Sequence, residues 1–276
     1  MSKVIVIDWG IFLHRAIFSL ANNPDIPATY TCLSMVLGNL KRIGVDKDDK
    51  IIVAIDFLKS WRKEYEKEYK GDRKQKREDS GIDFKHWYKK FNELMEDLEI
   101  STNWHLIKVP HLEADDIMSV CCKKYSDQEV ILVTYDSDLE QCWHYPNVKI
   151  FSPMSKKWKL KPKNFNVYAF ISKKVEKEIS DNLKDLVLNE NDYQNRLVCV
   201  DLINLPDWIE KQVLEALESS EERVAYEECF PFTTLRNRYL TLYDDKSKIV
   251  DYQKQILNEE KKKLKKKESK KSGKSN

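Results

Sequence analysis

Two short stretches, His111-Leu112-Glu113-Ala114-Asp115-Asp116-Ile117 and Val133-Thr134-Tyr135-Asp136-Ser137-Asp138, set carboxylates beside runs that should be buried. An unpaired ion taken out of water costs on the order of several kcal/mol, so acids gathered at the ends of buried elements require a counter-charge. A divalent metal meets that need directly. Hard cations such as Mg²⁺ prefer carboxylate oxygens, and two of them roughly 4 Å apart clamp a phosphodiester for attack by water. Any one of these acids alone reads as an ordinary helix N-terminal or turn residue. The spacing of the whole set decides.

The elements that must position them follow a repeated pattern. Lys3-Val4-Ile5-Val6-Ile7-Asp8 is a β-branched run closed by an acid, and an apolar-periodic helix follows from Ile11 to Leu20. A second helix is expected over Thr29 to Ile43. Lys50-Ile51-Ile52-Val53-Ala54-Ile55-Asp56 repeats the strand and its closing aspartate, and Glu129 to Thr134 repeats it again ahead of Asp136 and Asp138. Strand, acid, helix in succession predicts a parallel α/β sheet with carboxylates pooled at the edge where such sheets bind ligands. Trp104 to Val109 reads as a short strand, and Glu113-Ala114-Asp115-Asp116 opens a helix whose first turn suits acids. Residues 146–151 and 157–160 read as a hairpin at the sheet edge. Asp83 to Leu98 carries Phe84, Trp87, Phe91, Leu94 and Leu98 at helical spacing and is a core helix without chemistry.

Between Trp61 and Arg77 lie Arg62, Lys63, Lys67, Lys70, Arg73, Lys74, Lys76 and Arg77, interleaved with Tyr65 and Tyr69. A solvated charged helix would have this composition. Following Asp56, however, the segment lies over the proposed acids, and phosphate needs both metal and bases; Arg62, Lys63, Lys67, Tyr69, Lys70, Arg73, Lys74 and Arg77 are therefore the nucleic-acid-binding candidates. Beyond Pro162 the chain reads as helical to about residue 259, although Leu197-Val198-Cys199-Val200-Asp201 has strand composition. The formal charge is +2, yet residues 261–276 hold nine lysines and one acid, leaving an acidic body and a basic, low-complexity tail expected to be disordered. No run of 18 apolar residues occurs, and the six cysteines form no Cys-x-x-Cys pair. A cytoplasmic protein with reduced core cysteines is the expectation, with no membrane partner.

These residues resemble the metal-dependent 5′ nucleases, the family of flap endonucleases and of the 5′-exonuclease domain of DNA polymerase I, and within it the bacteriophage ribonuclease H branch. The likeness is carried by Val6-Ile7-Asp8, Ile55-Asp56, Trp61-Arg62, Tyr69-Lys70-Gly71-Asp72-Arg73, Glu113-Ala114-Asp115-Asp116 and Asp136-Ser137-Asp138. It implies a PIN-like α/β nuclease domain over residues 1–161 with a basic helical arch around 60–80. A mainly helical region over 162–260 and the basic tail 261–276 complete the organisation. It also implies that Asp8, Asp56, Glu113, Asp115 and Asp136 hold a first Mg²⁺, which Mn²⁺ can replace, and that Asp138 is shared towards a second; Asp116 belongs to the same acid motif and is counted with the metal candidates. Lys70 and Arg73 match the basic pair that meets the scissile phosphate, and with Asp136 they are the catalytic candidates. Where relatives carry Gly-Asp-x-x-Asp, this chain has Lys177-Glu178-Ile179-Ser180-Asp181-Asn182, which keeps acids at Glu178 and Asp181 without the glycine. The following DNA-gripping element is shortened.

The activity implied is Mg²⁺-dependent 5′ to 3′ exonuclease or flap endonuclease cleavage, removing RNA primers or flaps during replication. Its substrates would be branched or nicked DNA and RNA/DNA hybrid. Implied partners are a single-strand-binding protein and a sliding clamp, and the chain is expected to be a monomer. The competing reading is a non-catalytic, structure-specific nucleic-acid-binding protein that has kept the fold.

Overall fold

The computed structural model describes residues 2–21, 25–46, 48–66, 69–70, 77–182 and 190–221, with the side chains at 100, 101, 178–182 and 190 outside that description. Six strands form one sheet: β1 (Val4–Asp8), β2 (Lys50–Ala54), β3 (His105–Ile107), β4 (Val130–Val133), β5 (Val148–Ser152) and β6 (Lys157–Trp158). Their order is β3-β2-β1-β4-β5-β6. Every pairing is parallel except β5 with β6, the expected edge hairpin. In register, Val4 lies beside Lys50 on one side and Val130 on the other, so β1, β2 and β4 end nearly level.

The helices are α1 (Trp9–Ser19), α2 (Ala28–Ile43), α3 (Phe84–Ser101), α4 (Ala114–Lys124), α5 (Val167–Asn182), α6 (Glu190–Val200) and α7 (Asp207–Glu221). The near-continuous apolar strands are explained by cover on both faces. Ile5, Ile7, Ile51, Val53, Ile131 and Val133 point to one face and pack with side chains of α1, α2 and α3. Val4, Val6, Ile52, Ala54, Val130 and Leu132 point to the other and pack with Ile117, Cys121, Ile209, Val213 and Leu217 of α4 and α7. Thus α7, well beyond residue 162, shares the core of the sheet. Cys32, Cys121, Cys122, Cys142 and Cys199 are free and buried, as expected of core thiols.

The chain runs from β1 outward to β2 and β3, then crosses back to place β4 on β1's other side. That reversal leaves a crevice at the carboxyl ends of β1 and β4, where open α/β sheets take ligands.

Two stretches depart from their local composition. Residues 197–200, of strand composition, are the last turn of α6. Their carbonyls are taken by side chains rather than a ladder: Arg62 Nε donates to Cys199 O at 2.7 Å and Gln141 Nε2 to Val200 O at 3.0 Å. Nor do the described residues of the basic segment form one helix. A 3₁₀ turn covers Trp61–Glu64, started by Ser60, whose Oγ accepts the Arg62 N–H at 3.2 Å, and Lys70 has a left-handed backbone with φ of 55°. Lys63 and Lys70 therefore do not share one helical stripe. Lys67, Arg73, Lys74 and Lys76, the helix expected beyond residue 221 and the basic tail 261–276 lie outside the described residues. Among the described residues no helix is long and apolar enough to cross a membrane.

Candidate metal centre

Asp8 is the last residue of β1 and the N-cap of α1. Its Oδ1 accepts the Ile11 N–H at 3.4 Å and its Oδ2 the Thr134 hydroxyl at 3.3 Å, which aims the carboxylate along the sheet edge. Asp56 lies two residues past β2 and accepts the Ala114 N–H at 2.8 Å, joining the end of β2 to the start of α4. Asp136 follows β4; its N–H donates to Thr134 Oγ1 at 3.0 Å, and its Oδ1 accepts the Asp138 N–H at 2.9 Å. Thr134, fully buried, thus links Asp8 to the Asp136 loop.

The charges of these groups are felt in common. Burial, then the neighbouring Asp56 and Asp136, push the Asp8 carboxyl up to about 7. Burial and then Asp8, Asp136 and Asp56 raise Asp115 well above the carboxylate range. Four aspartates from four chain segments therefore converge. Gly10 makes room for them: a Cβ there would stand 3.0 Å from Asp56 Oδ2 and 3.5 Å from Asp8 Oδ1.

Glu113 and Asp116 behave differently. Glu113, 6% exposed, receives Lys70 Nζ at 2.5 Å, Tyr69 OH at 2.9 Å and Arg62 Nη1 at 3.0 Å. Burial acts to raise its pKa, but Lys70 and Arg62 outweigh it and hold the carboxyl below its usual value. Asp116 is fully buried and faces away from the aspartates. Arg62 grips it with two bonds of 2.7 and 3.0 Å, Trp61 Nε1 donates at 3.1 Å, and its Oδ2 also accepts the Glu113 N–H at 2.9 Å. Two expectations are corrected here. Asp116 is a structural acid rather than a metal candidate, and Arg62, 2% exposed, is its counter-ion rather than a phosphate contact. Successive helical residues point about 100° apart, so Asp115 and Asp116 cannot serve the same side of α4.

Of the other nucleic-acid candidates, Lys63 is exposed, Tyr69 and Lys70 stand at Glu113, and Arg77 lies over the Phe84 and Tyr88 rings at 5.9 and 5.8 Å. Arg73, expected to be catalytic, is outside the described residues. Glu178 and Asp181 lie on the last turns of α5, with side chains outside the description. Asp138 is held by Lys174 of α5, which also donates to Ser137 Oγ at 2.7 Å. Functional residues that sequence reasoning misses are Gly10, Thr134, Lys174 and Lys159, whose Nζ reaches Tyr135 O, Asp136 O and Glu140 Oε1 and so supports the Asp136 loop. None stands out locally, because each also meets a distant partner: Gly10 meets Asp56, Thr134 meets Asp8, Lys174 meets Asp138 and Lys159 meets Asp136.

The donor set suits a hard divalent ion. Ion pairs fall on Glu113 and Asp138, while Asp8, Asp56, Asp115 and Asp136 present oxygen-only ligands, and the Asp8 and Asp115 carboxyls are raised first by burial and then by their neighbours' like charge. Among the described residues no three such side chains stand at the spacing of a formed coordination shell.

A parallel α/β sheet with acids at its switch point and Lys70 at their rim defines a class. Residues 3–175 match the family described as 5′-3′ exonuclease, N-terminal resolvase-like domain, and the chain belongs to that family. Among curated relatives, ribonuclease H of Enterobacteria phage T4 is 32% identical over 130 residues, 46% of this chain and 43% of that protein, so the match spans less than half of the relative's length. A bacteriophage T5 protein crystallised with metal ions superimposes with a TM-score of 0.56 at 19% identity, covering 79% of this chain and 99% of its own. A zinc-bound T5 5′-exonuclease gives 0.54 at 19% identity with the same coverage. A T5 flap endonuclease complex with DNA and metal ions gives 0.50 at 18% identity, covering 80% of this chain and all of its own.

Proposed function

We propose that this chain is a divalent-metal-dependent 5′ nuclease that hydrolyses phosphodiester bonds in RNA primers or 5′ flaps during DNA replication in the cytoplasm, with Mg²⁺ as its ion. The observation that carries the reading is the convergence of Asp8, Asp56, Asp115 and Asp136 at the carboxyl ends of adjacent parallel strands, with burial and mutual charge raising Asp8 and Asp115 together. These four residues would hold the cation, and Glu113 would join them as an outer carboxylate tied to Lys70. A bound divalent cation would supply Lewis acidity for in-line displacement at phosphorus.

The chain's own residues do the rest. Lys70 carries its ammonium at the rim of the acid cluster, 2.5 Å from Glu113, where it can offset negative charge that grows on a phosphoryl group. Tyr69, beside it, lends an aromatic surface to a threaded strand. Arg73 is the second proposed cation of this pair, and Lys63, Lys67, Lys74 and Arg77 are the proposed backbone contacts. The basic tail 261–276 adds salt-dependent affinity through counterion release, and a single-strand-binding protein or sliding clamp would bring the enzyme to its junction.

The test uses a 5′-labelled flap and a nicked RNA/DNA hybrid with Mg²⁺ or with EDTA. Cleavage that starts at the 5′ end, stops with EDTA and is lost in Asp136→Asn supports the reading. Structure-specific binding without product would establish the non-catalytic alternative instead.

A further inference from the structure

We propose that the Lys174 ammonium occupies the place beside Asp138 that a second divalent cation would need, so that this protein binds a single divalent ion tightly. The inference rests on the metal-nuclease reading above. Lys174 is the described cation paired with Asp138 and it also donates to Ser137 Oγ, so it meets both polar side chains of the Ser137-Asp138 turn.

It is held there by the fold. Ile171 and Val175, on either side of it in α5, are buried against Val167 and Val200, which fixes the rotation of the helix. The ammonium also stands 5.7 Å from the centre of the Phe170 ring, a favourable position for a cation. With 24% of its side chain exposed, Lys174 is partly shielded from water.

The position matters because Asp138 is one hydrogen bond from the main cluster: its N–H donates to Asp136 Oδ1 at 2.9 Å. Lys174 neutralises Asp138 while Asp136 stays with Asp8, Asp56 and Asp115. Glu178 and Asp181 follow Lys174 at i+4 and i+7 on α5, so all three backbone positions share one helix face. That helix face thus also carries a fixed positive charge. An arriving dication would have to displace that charge from Asp138 and then remain near it, and like charges at such range repel.

The experiment is calorimetric titration of Mn²⁺ into the full chain, for wild type, Lys174→Met, Lys174→Arg and the double variant Lys174→Met/Asp138→Asn. The expected result is one tight Mn²⁺ per wild-type chain. In Lys174→Met a second ion should then bind up to about fivefold tighter than in wild type, the upper end of what loss of one partly exposed ion pair gives. Lys174→Arg should keep the single tight site, and the double variant should lose the second. Two tight ions in wild type, or an unchanged second event in Lys174→Met whose circular dichroism is native, would overturn the proposal. Wild-type chain that binds no Mn²⁺ at all would remove the metal-nuclease reading itself, and this inference with it.

Discussion

Arg62 makes the sharpest test of how the basic segment is divided between structure and substrate. In Arg62→Met the Asp116 carboxylate, fully buried, loses both guanidinium bonds, Glu113 loses one, and the Cys199 carbonyl loses its donor. Removing one partner of a buried pair costs ~3–5 kcal/mol, because the other charge stays behind without water. For a folded unit of this size each kcal/mol moves the melting temperature by ~2–4 °C, so the variant should melt about 6–20 °C lower. Differential scanning calorimetry in EDTA reads this without interference from bound metal. The double variant Arg62→Met/Asp116→Leu should recover much of the loss, since it removes the stranded charge as well. Affinity for flap DNA, measured well below the melting transition, should keep its dependence on salt. A phosphate contact would behave in the opposite way: the slope of log K against log salt would shrink by ~0.9, and stability would barely change. That second pattern would refute the assignment of Arg62 to the core.

Other residues separate chemistry from folding. Lys70→Met should lower cleavage by about 10²–10³-fold, the usual effect of losing a group that stabilises developing charge, while leaving the melting temperature within a few degrees; single-turnover kinetics check it. Gly10→Ala gains helix propensity, alanine favouring helix by ~1 kcal/mol over glycine. Yet its new methyl would crowd Asp56 Oδ2 at 3.0 Å, so Mn²⁺ affinity by calorimetry should fall; unchanged affinity would show that the two carboxylates do not share an ion. The metal-free protein should also lose stability as pH rises. Asp8 is raised to about 7 when folded and Asp115 is raised too, so the folded state holds more protons than the unfolded one; the stability is fully present below the unfolded carboxylate value of ~3.9 and is lost as pH climbs through about 7. Melting curves in EDTA between acid and neutral pH should show that decline, and saturating Mn²⁺ should flatten it.

Much of this arrangement is legible in the amino-acid sequence. Val4-Ile5-Val6-Ile7-Asp8 and its two counterparts announce buried parallel strands because β-branched runs without alternation need cover on both faces, and an acid closing such a run has only the sheet edge to occupy. Asp8, Asp56 and Asp136 follow from that pattern. Asp115 and Asp116 show where it stops: adjacent letters with the same chemistry, one turned to the edge and one to the core by a single helical step. Arg62 is hidden among eight bases of the same segment, since nothing local marks the one whose partners are Asp116, 54 residues away, and Cys199, 137 residues away. Residues 197–200 mislead because a buried apolar helix end and a strand have the same composition. Lys174 and Asp138 meet only because α5 packs on the turn after β4, which no spacing rule encodes.

The central claim is that four aspartates, scattered from residue 8 to residue 136, hold one divalent cation. Crystals soaked in Mn²⁺ and measured at the manganese absorption edge test it directly. An anomalous peak bonded to oxygens of Asp8, Asp56, Asp115 and Asp136, beside Gly10, is the predicted result. A soaked crystal with no peak there, or with manganese only on other acids, would contradict it.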